Sequence, residues 1–207
     1  MSLPPLILLT DRSQLRLGRG LVRTVAECAE AGLTHVVLRE LDLSDAQRAA
    51  LAGELAAIGV TVIAAHTPLA GAAGVHLRAA AVAGGNTLLP PVEGRCIDRL
   101  PGATACYPLR GRSCHTRAEV TAAAADGFAY TTLGPFAATA SKPGYGPALP
   151  PETYADHPIP VYALGGIDPA NAELAMDAGA HGVAVMGAVM RAASPKSVVR
   201  DLLTVVG

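Results

Sequence analysis

Short apolar runs alternate with alanine-rich, helix-forming stretches along the whole of the 207-residue chain. Runs at residues 6–9, 35–39, 60–65, 74–77, 109–114, 128–133, 160–164 and 182–186 predict eight strands, and residues 103–106 compete for the fifth. Helical spacing or capping signals predict helices at residues 21–31, 44–58, 117–126 and 169–178. Continuous Val, Ile, Leu and Ala content is typical of parallel strands buried on both faces. We therefore expect a single (β/α)8 TIM barrel over residues 1–207, with a doubly wound open sheet as the alternative.

Composition restricts the partners that such a barrel would take. The net charge is −1, Lys and Arg are scattered, and aromatic residues make up 3%, so we expect no nucleic-acid partner. The chain is 51% hydrophobic, but its apolar runs are interrupted by Gly, Pro or charge, and the first residues lack a secretory signal pattern, so we expect no membrane partner. The four cysteines, Cys28, Cys96, Cys106 and Cys114, have no CxxC spacing and are expected to be reduced thiols in the cytoplasm. The ligand should be small, and the apolar, Ala-rich surface would suit a homodimer.

Glycine-containing turns follow the last two predicted strands. Gly165 and Gly166 end the seventh strand ahead of Asp168, where a helix is expected to open, and Met186 and Gly187 follow the eighth. Glycine lets backbone N–H groups approach an anion closely, and a helix N-terminus adds the positive end of its dipole. Phosphate binds at this place in many barrels. Residues 159–190 are thus predicted to form a cup for the phosphate of a small phosphorylated metabolite.

A series of short motifs in this order resembles the thiamine phosphate synthase superfamily, which also contains the thiazole tautomerases. The motifs lie at residues 9–12, 38–40, 74–77, 113–115, 133–135, 159–167 and 178–186, nearly the whole chain. The resemblance implies an enzyme of thiamine biosynthesis; the synthases join a pyrimidine pyrophosphate to a thiazole phosphate, with magnesium holding the pyrophosphate. The substrate-binding residues that it implies are Arg39, His76, Ser113, Thr139, Ser141 and Lys142.

The chain departs from the family pattern where magnesium and pyrophosphate are bound. Val37 and Leu41 stand where the family has a Gln and a Lys around the arginine of the second strand. His66 follows two alanines where an Asn-Asp pair ends the third strand, and residues 78–81 contain no acid in place of the second magnesium-binding Asp. Magnesium prefers carboxylate ligands. Because the thiazole phosphate half survives, the sequence favours a thiazole tautomerase, a proton-shift isomerase that needs no metal or other cofactor.

Tautomerisation requires a group that accepts and returns a proton near neutral pH, and histidine is the usual choice. The predicted catalytic residues are His66 at the end of the third strand, His115 after the fifth strand, and Cys114 if the pKa of its thiol is lowered. One tautomerase form carries its catalytic histidine where this chain has Pro135.

Two alternatives remain open beside the tautomerase. The first is a magnesium-dependent thiamine phosphate synthase, a transferase, whose metal ligands have moved to Asp11, Glu40 or Asp42. The second is a non-catalytic homologue that retains only the phosphate cup.

Overall fold

The computed structural model describes residues 3–16, 18–79, 109–138 and 146–207. Its eight strands form one closed parallel barrel in chain order, and the last strand pairs with the first. The strands are β1 (Leu6–Leu9), β2 (His35–Leu38), β3 (Thr61–Ala65), β4 (Gly74–Leu77), β5 (Leu109–Cys114), β6 (Tyr130–Leu133), β7 (Val161–Leu164) and β8 (Gly182–Val185). This order confirms the TIM barrel and excludes the open sheet. The competing position for the fifth strand, residues 103–106, lies outside the described residues.

The helices among the described residues cover the outside of the barrel. They are α1 (Leu21–Ala29), α2 (Asp45–Ala57), α3 (Arg117–Ala125), α4 (Ala172–Asp177), α5 (Gly187–Met190) and α6 (Pro195–Val206), with 3-10 turns at Arg12–Gln14 and Pro151–Thr153. The predicted capping box is present: the Ser44 hydroxyl accepts from the Gln47 backbone N–H at 3.3 Å, and the Gln47 side chain accepts from the Ser44 N–H at 3.0 Å. No helix in the described ranges combines the length and the hydropathy needed to cross a membrane.

One helix boundary differs from the prediction. The helix expected at residues 169–178 begins only at Ala172. The reason is a side-chain turn, in which the Asp168 carboxylate accepts from the Ala170 N–H at 2.9 Å and the Asn171 amide oxygen accepts from the Asp168 N–H at 3.0 Å. Such local hydrogen bonds compete with the first helical turn. As a result, the helix does not open directly at the glycine turn.

Side chains alternate between two packing layers along every strand. Ile7 of β1 and Val37 of β2 belong to an inner cluster of barrel-facing residues, whereas their neighbours pack with residues of the surrounding helices. Small residues leave room for large ones inside: a Cβ on Gly111 would lie 2.2 Å from Cζ of Tyr130 and 2.5 Å from Nδ1 of His76. The Tyr130 ring can therefore cross the interior beside β5, directly below the mouth.

Candidate active site

The mouth of the barrel, at the carboxyl ends of the strands, carries positive charge on the side of β2, β3 and β4. Arg39, His66 and Arg78 each follow the last residue of one of these strands, and the strand register places them at the same end. Burial, followed by the nearby charges of Arg78, Arg39 and Arg48, lowers the pKa of His66 below its usual value. His66 is consequently a neutral imidazole near pH 7.

His66 has an unusual backbone conformation at the end of β3. Its φ is 68°, in the left-handed region, and its backbone N–H donates to the carbonyl of His76 at 2.8 Å. A non-glycine residue in this region is uncommon and is found repeatedly at functional sites. The exposed His66 ring thus stands at the mouth on a backbone that the fold strains, where the sequence predicted a catalytic group.

Arg39 reaches across the mouth from β2 toward β8. Its Nη1 lies 2.9 Å from the Sδ of Met186, and its backbone N–H donates to the hydroxyl of Thr10 at 3.0 Å. No ion pair joins Arg39 to a carboxylate of the described residues. A thioether is a weak acceptor, so this guanidinium keeps most of its donors for an anion.

The turn after β8 contacts the guanidinium of Arg39 through Met186, and the two glycine turns differ from one another. Gly165 and Gly166 have φ values of 100° and 68°, and a Cβ on Gly166 would lie 2.4 Å from the carbonyl oxygen of Ala138. Only glycine fits there. Gly187 instead begins the short helix α5, whose first N–H groups have no partner within the helix. The second turn therefore offers helix N–H groups rather than a left-handed turn.

Below the mouth, His76 occupies the centre of a hydrogen-bonded chain. Its Nε2 lies 3.0 Å from Oγ of Ser113 and its Nδ1 lies 3.1 Å from the hydroxyl of Tyr130. Burial, followed by the charges of His66 and Arg39, lowers the pKa of His76 to about 3. This neutral ring supports Ser113, which is partly exposed at the mouth.

The carboxylates near the mouth are engaged in loop contacts. Glu40, whose side chain is 2% exposed, accepts from the Arg12 backbone N–H at 3.1 and 3.2 Å and from its Nη1 at 3.0 Å. Arg12 also binds Asp42 and lowers the pKa of its carboxyl. Asp11 accepts from the Ser13 backbone N–H at 3.1 Å and from Gln14 at 2.6 Å. These three acids, proposed above as relocated magnesium ligands, are instead held by their own loops.

The described residues do not fit the magnesium ion that the resemblance implies. They include no group of three or more His, Cys, Asp and Glu side chains that could hold a metal. Magnesium needs oxygen ligands in near-octahedral arrangement. Arginines rather than carboxylates occupy the β2 and β4 ends, Arg39 and Arg78.

The remaining predicted residues are placed less centrally or are not described. Cys114 is 1% exposed and packs in the outer layer between barrel and helices, and burial raises the pKa of its thiol to about 12. The structure therefore does not support its assignment as a proton carrier. His115 is exposed at the end of β5, with Nδ1 2.8 Å from the carbonyl oxygen of Gly134. Thr139, Ser141 and Lys142 lie outside the described residues.

Two residues of the candidate site were missed from the sequence. Tyr130 contacts His76 from two strands away, a pairing that no local pattern reveals. Arg78 could have been found, because it follows His76 by two residues and side chains two apart in a strand share a face.

The fold places the chain in a class, the (β/α)8 barrels, whose ligand sites lie at the carboxyl ends of the strands, and comparison with known proteins defines the family. A family model described as thiamine monophosphate synthase matches residues 106–189. A Geobacter sulfurreducens protein, provisionally named thiamine-phosphate synthase, is 35% identical over 96% of this chain and 92% of its own length. An Azorhizobium caulinodans thiamine-phosphate synthase is 33% identical over 97% of this chain and 94% of its own length. The chain belongs to the thiamine phosphate synthase superfamily.

Two further relatives differ in length or in sequence. A Prochlorococcus marinus thiamine-phosphate synthase is 32% identical over 95% of this chain, which spans 55% of that relative. The structure of a Pyrococcus furiosus thiamine phosphate pyrophosphorylase superposes with a TM-score of 0.74, covering 97% of this chain and 94% of that one at 22% identity. At this identity, the structural likeness supports the fold alone.

Proposed function

We propose that the protein is a transferase of the thiamine-phosphate synthase type, which binds a thiazole phosphate at the mouth of the barrel. The single observation that carries the proposal is the guanidinium of Arg39, which has no carboxylate partner among the described residues and contacts Met186, next to the glycine turn after β8. Similarity to named synthases over almost the full chain selects the transferase among phosphate-binding barrels. The same similarity outweighs the tautomerase that the sequence favoured.

Backbone groups and side chains would bind different parts of the ligands. Backbone N–H groups near Gly166 and Gly187 would hold the thiazole phosphate, and Ser113 would donate a hydrogen bond from the opposite side of the mouth. Arg39, whose Nη1 lies 2.9 Å from Sδ of Met186, would bind the thiazole phosphate beside these N–H groups. Arg78 would face the pyrophosphate as its negative charge increases during transfer, because a cation placed in advance stabilises such charge. No step is assigned to magnesium, since the described residues do not provide its ligands.

Product formation tests the proposal directly. We expect thiamine phosphate to form from thiazole phosphate and pyrimidine pyrophosphate, measured by thiochrome fluorescence after separation. Arg39→Met should reduce the rate, whereas Arg23→Met on α1, a side chain that is 81% exposed, should not. Parallel reactions with magnesium and with a chelator measure whether the ion is required. Absence of product in both would exclude the transferase.

A tautomerase is the second candidate, and one observation favours it. The neutral His66 stands at the mouth between the cations Arg39 and Arg78, where a carboxylate of the ligand could bind next to a proton acceptor. The acids Asp11, Glu40 and Asp42 are meanwhile held in their loops.

Proton exchange separates the candidates. For a tautomerase, deuterium from the solvent should enter the thiazole carboxylate phosphate in the absence of pyrimidine substrate, and His66→Gln should abolish the exchange while His157→Gln should not. His157 is a suitable control because its Nε2 contacts the carbonyl of Thr153, away from the strand ends. Binding of thiazole phosphate without transfer or exchange would identify a non-catalytic homologue.

A further inference from the structure

A chain of three side chains runs from the interior of the barrel to its mouth. The Tyr130 hydroxyl lies 3.1 Å from Nδ1 of His76, and Nε2 of His76 lies 3.0 Å from Oγ of Ser113. Tyr130 is completely buried, His76 is 4% exposed, and Ser113 is partly exposed. The chain therefore joins a group that water cannot reach to a group that a ligand can reach.

Hydrogen-bond counting determines which nitrogen of His76 carries the proton. Among the described residues, Nδ1 of His76 is the partner of the buried Tyr130 hydroxyl. If Tyr130 donates to Nδ1, the single proton of the neutral ring resides on Nε2 and is donated to Ser113. In the other tautomer, Nδ1–H would donate to Tyr130 and leave the buried phenol hydrogen without an acceptor, which is unfavourable.

The state of the ring follows from its surroundings. Burial, and then the charges of His66 and Arg39, lower the pKa of His76 to about 3, so the ring carries one proton at neutral pH. The interior leaves no space for the Tyr130 ring to move toward β5, because the two already meet where Gly111 lacks a Cβ. The contact between Tyr130 and His76 is therefore maintained by packing.

The consequence appears at Ser113. Its Oγ accepts from Nε2–H of His76, and the hydroxyl of Thr132 lies 3.4 Å away, at the outer limit of a second donor. The hydroxyl hydrogen of Ser113 is not used by either contact. A hydroxyl that accepts on one side and keeps its hydrogen for the mouth is a donor suited to an anionic oxygen.

We propose that Tyr130 is a positioning residue: it holds His76 in the Nε2–H tautomer and thereby keeps Ser113 as a hydrogen-bond donor to a phosphate oxygen of the ligand. The identity of that ligand rests on the proposed function. The tautomer of His76 does not, so the two can fail separately.

Nitrogen NMR tests the tautomer without any ligand. Long-range proton–nitrogen correlation on labelled protein at pH 7 distinguishes Nε2–H from Nδ1–H, and His76→Gln assigns the signal. We expect Nε2–H in the wild type and a shift toward Nδ1–H in Tyr130→Phe. Tyr162→Phe is the matched control, because its buried hydroxyl donates to the Pro4 carbonyl at 2.5 Å and should leave His76 unchanged. An Nδ1–H wild type, or a Tyr130→Phe spectrum equal to the wild type, overturns the proposal.

Calorimetric titration with thiazole phosphate tests the effect on binding. We expect Ser113→Ala to weaken binding about tenfold or more and Tyr130→Phe about three- to tenfold, while Ser113→Thr retains most of the affinity. Because Tyr130 acts through Ser113, the double variant should bind no more weakly than Ser113→Ala. Additive losses would overturn the proposal. If the wild type does not bind thiazole phosphate, the proposed function fails, and the NMR result still decides the role of Tyr130.

Discussion

Replacing Arg39 by methionine separates ligand binding from folding. The guanidinium is placed at the mouth, with Nη1 2.9 Å from Sδ of Met186, and makes no ion pair with a described carboxylate. Its backbone contact with Thr10 does not depend on the side chain. The substitution therefore removes a charge and its donors, and it replaces the aliphatic stem with a side chain of similar length.

The expected magnitudes follow from these contacts. A hydrogen bond to a charged group contributes about 1.5–3 kcal/mol, which corresponds to about a 10- to 150-fold loss of affinity for thiazole phosphate. Stability should change by about 0.5 kcal/mol or less, because no ion pair is broken and the positive charge near His66 and Arg78 is reduced. Arg39→Met should thus lose binding while keeping its fold.

Calorimetric titration and urea unfolding measure the two quantities on the same preparations. Arg23→Met on α1 controls for the loss of one positive charge far from the mouth, and it should bind as the wild type does. The reasoning is refuted if Arg39→Met binds with unchanged affinity. It is also refuted if unfolding free energy falls by about 2 kcal/mol or more, since Arg39 would then be a structural residue.

Three other predictions address the interior and the outer layer. Gly111→Ala should lower the free energy of unfolding by about 1–3 kcal/mol or more, because the new Cβ would lie 2.2 Å from Tyr130. Gly53→Ala should raise the free energy of unfolding by about 0.5–1 kcal/mol, because Gly53 lies inside α2 with open space around it. Urea unfolding measures both. Burial lowers the pKa of His76 from about 6.5 in the unfolded chain to about 3 in the folded one. The stability that the neutral ring contributes is therefore complete above pH 6.5 and should be lost as the pH falls toward 3, at up to about 1.4 kcal/mol per pH unit. Urea unfolding across this pH range should show this slope in the wild type but not in His76→Gln. Cys114→Ala should keep turnover within about twofold of the wild type. Because burial raises the pKa of its thiol, native Cys114 should also resist alkylation by iodoacetamide, measured by peptide mass spectrometry. Rapid labelling would contradict the outer-layer position of Cys114.

The barrel was predictable from the sequence because parallel strands buried on both faces have a simple signature. Three strands, β1, β4 and β5, begin and end where the apolar runs indicated, and the other strands agree within one or two residues. The capping box at Ser44 was equally local. By contrast, the start of α4 depends on the side chains of Asp168 and Asn171, which form a turn in place of the first helical turn.

The site was less predictable because its contacts join distant parts of the chain. Cys114 and Ser113 are neighbours, but alternation sends one into the outer layer and the other to the mouth. Motif spacing placed both near the mouth, and the alternation of side chains along β5 separates them. The registers of β4, β5 and β6 bring Tyr130 level with His76 across Gly111, which no motif anticipated.

The interior of the barrel also divides the proposed site by the kind of group that binds. The inner residues of β1, β7 and β8 are mainly apolar, so the ligand meets backbone N–H groups at the glycine turns of this side, together with the two arginines that reach the turn after β8, Arg39 at Met186 and Arg191 at Gly187. The side of β2 to β6 supplies side chains instead, Arg39, His66, His76, Arg78 and Ser113. Backbone donors tolerate many sequences, whereas side-chain donors determine chemistry. Inorganic phosphate should therefore bind nearly as well to His66→Gln as to the wild type, while the complete substrates should distinguish them, because only the complete substrates extend from the backbone side of the mouth to the side-chain side.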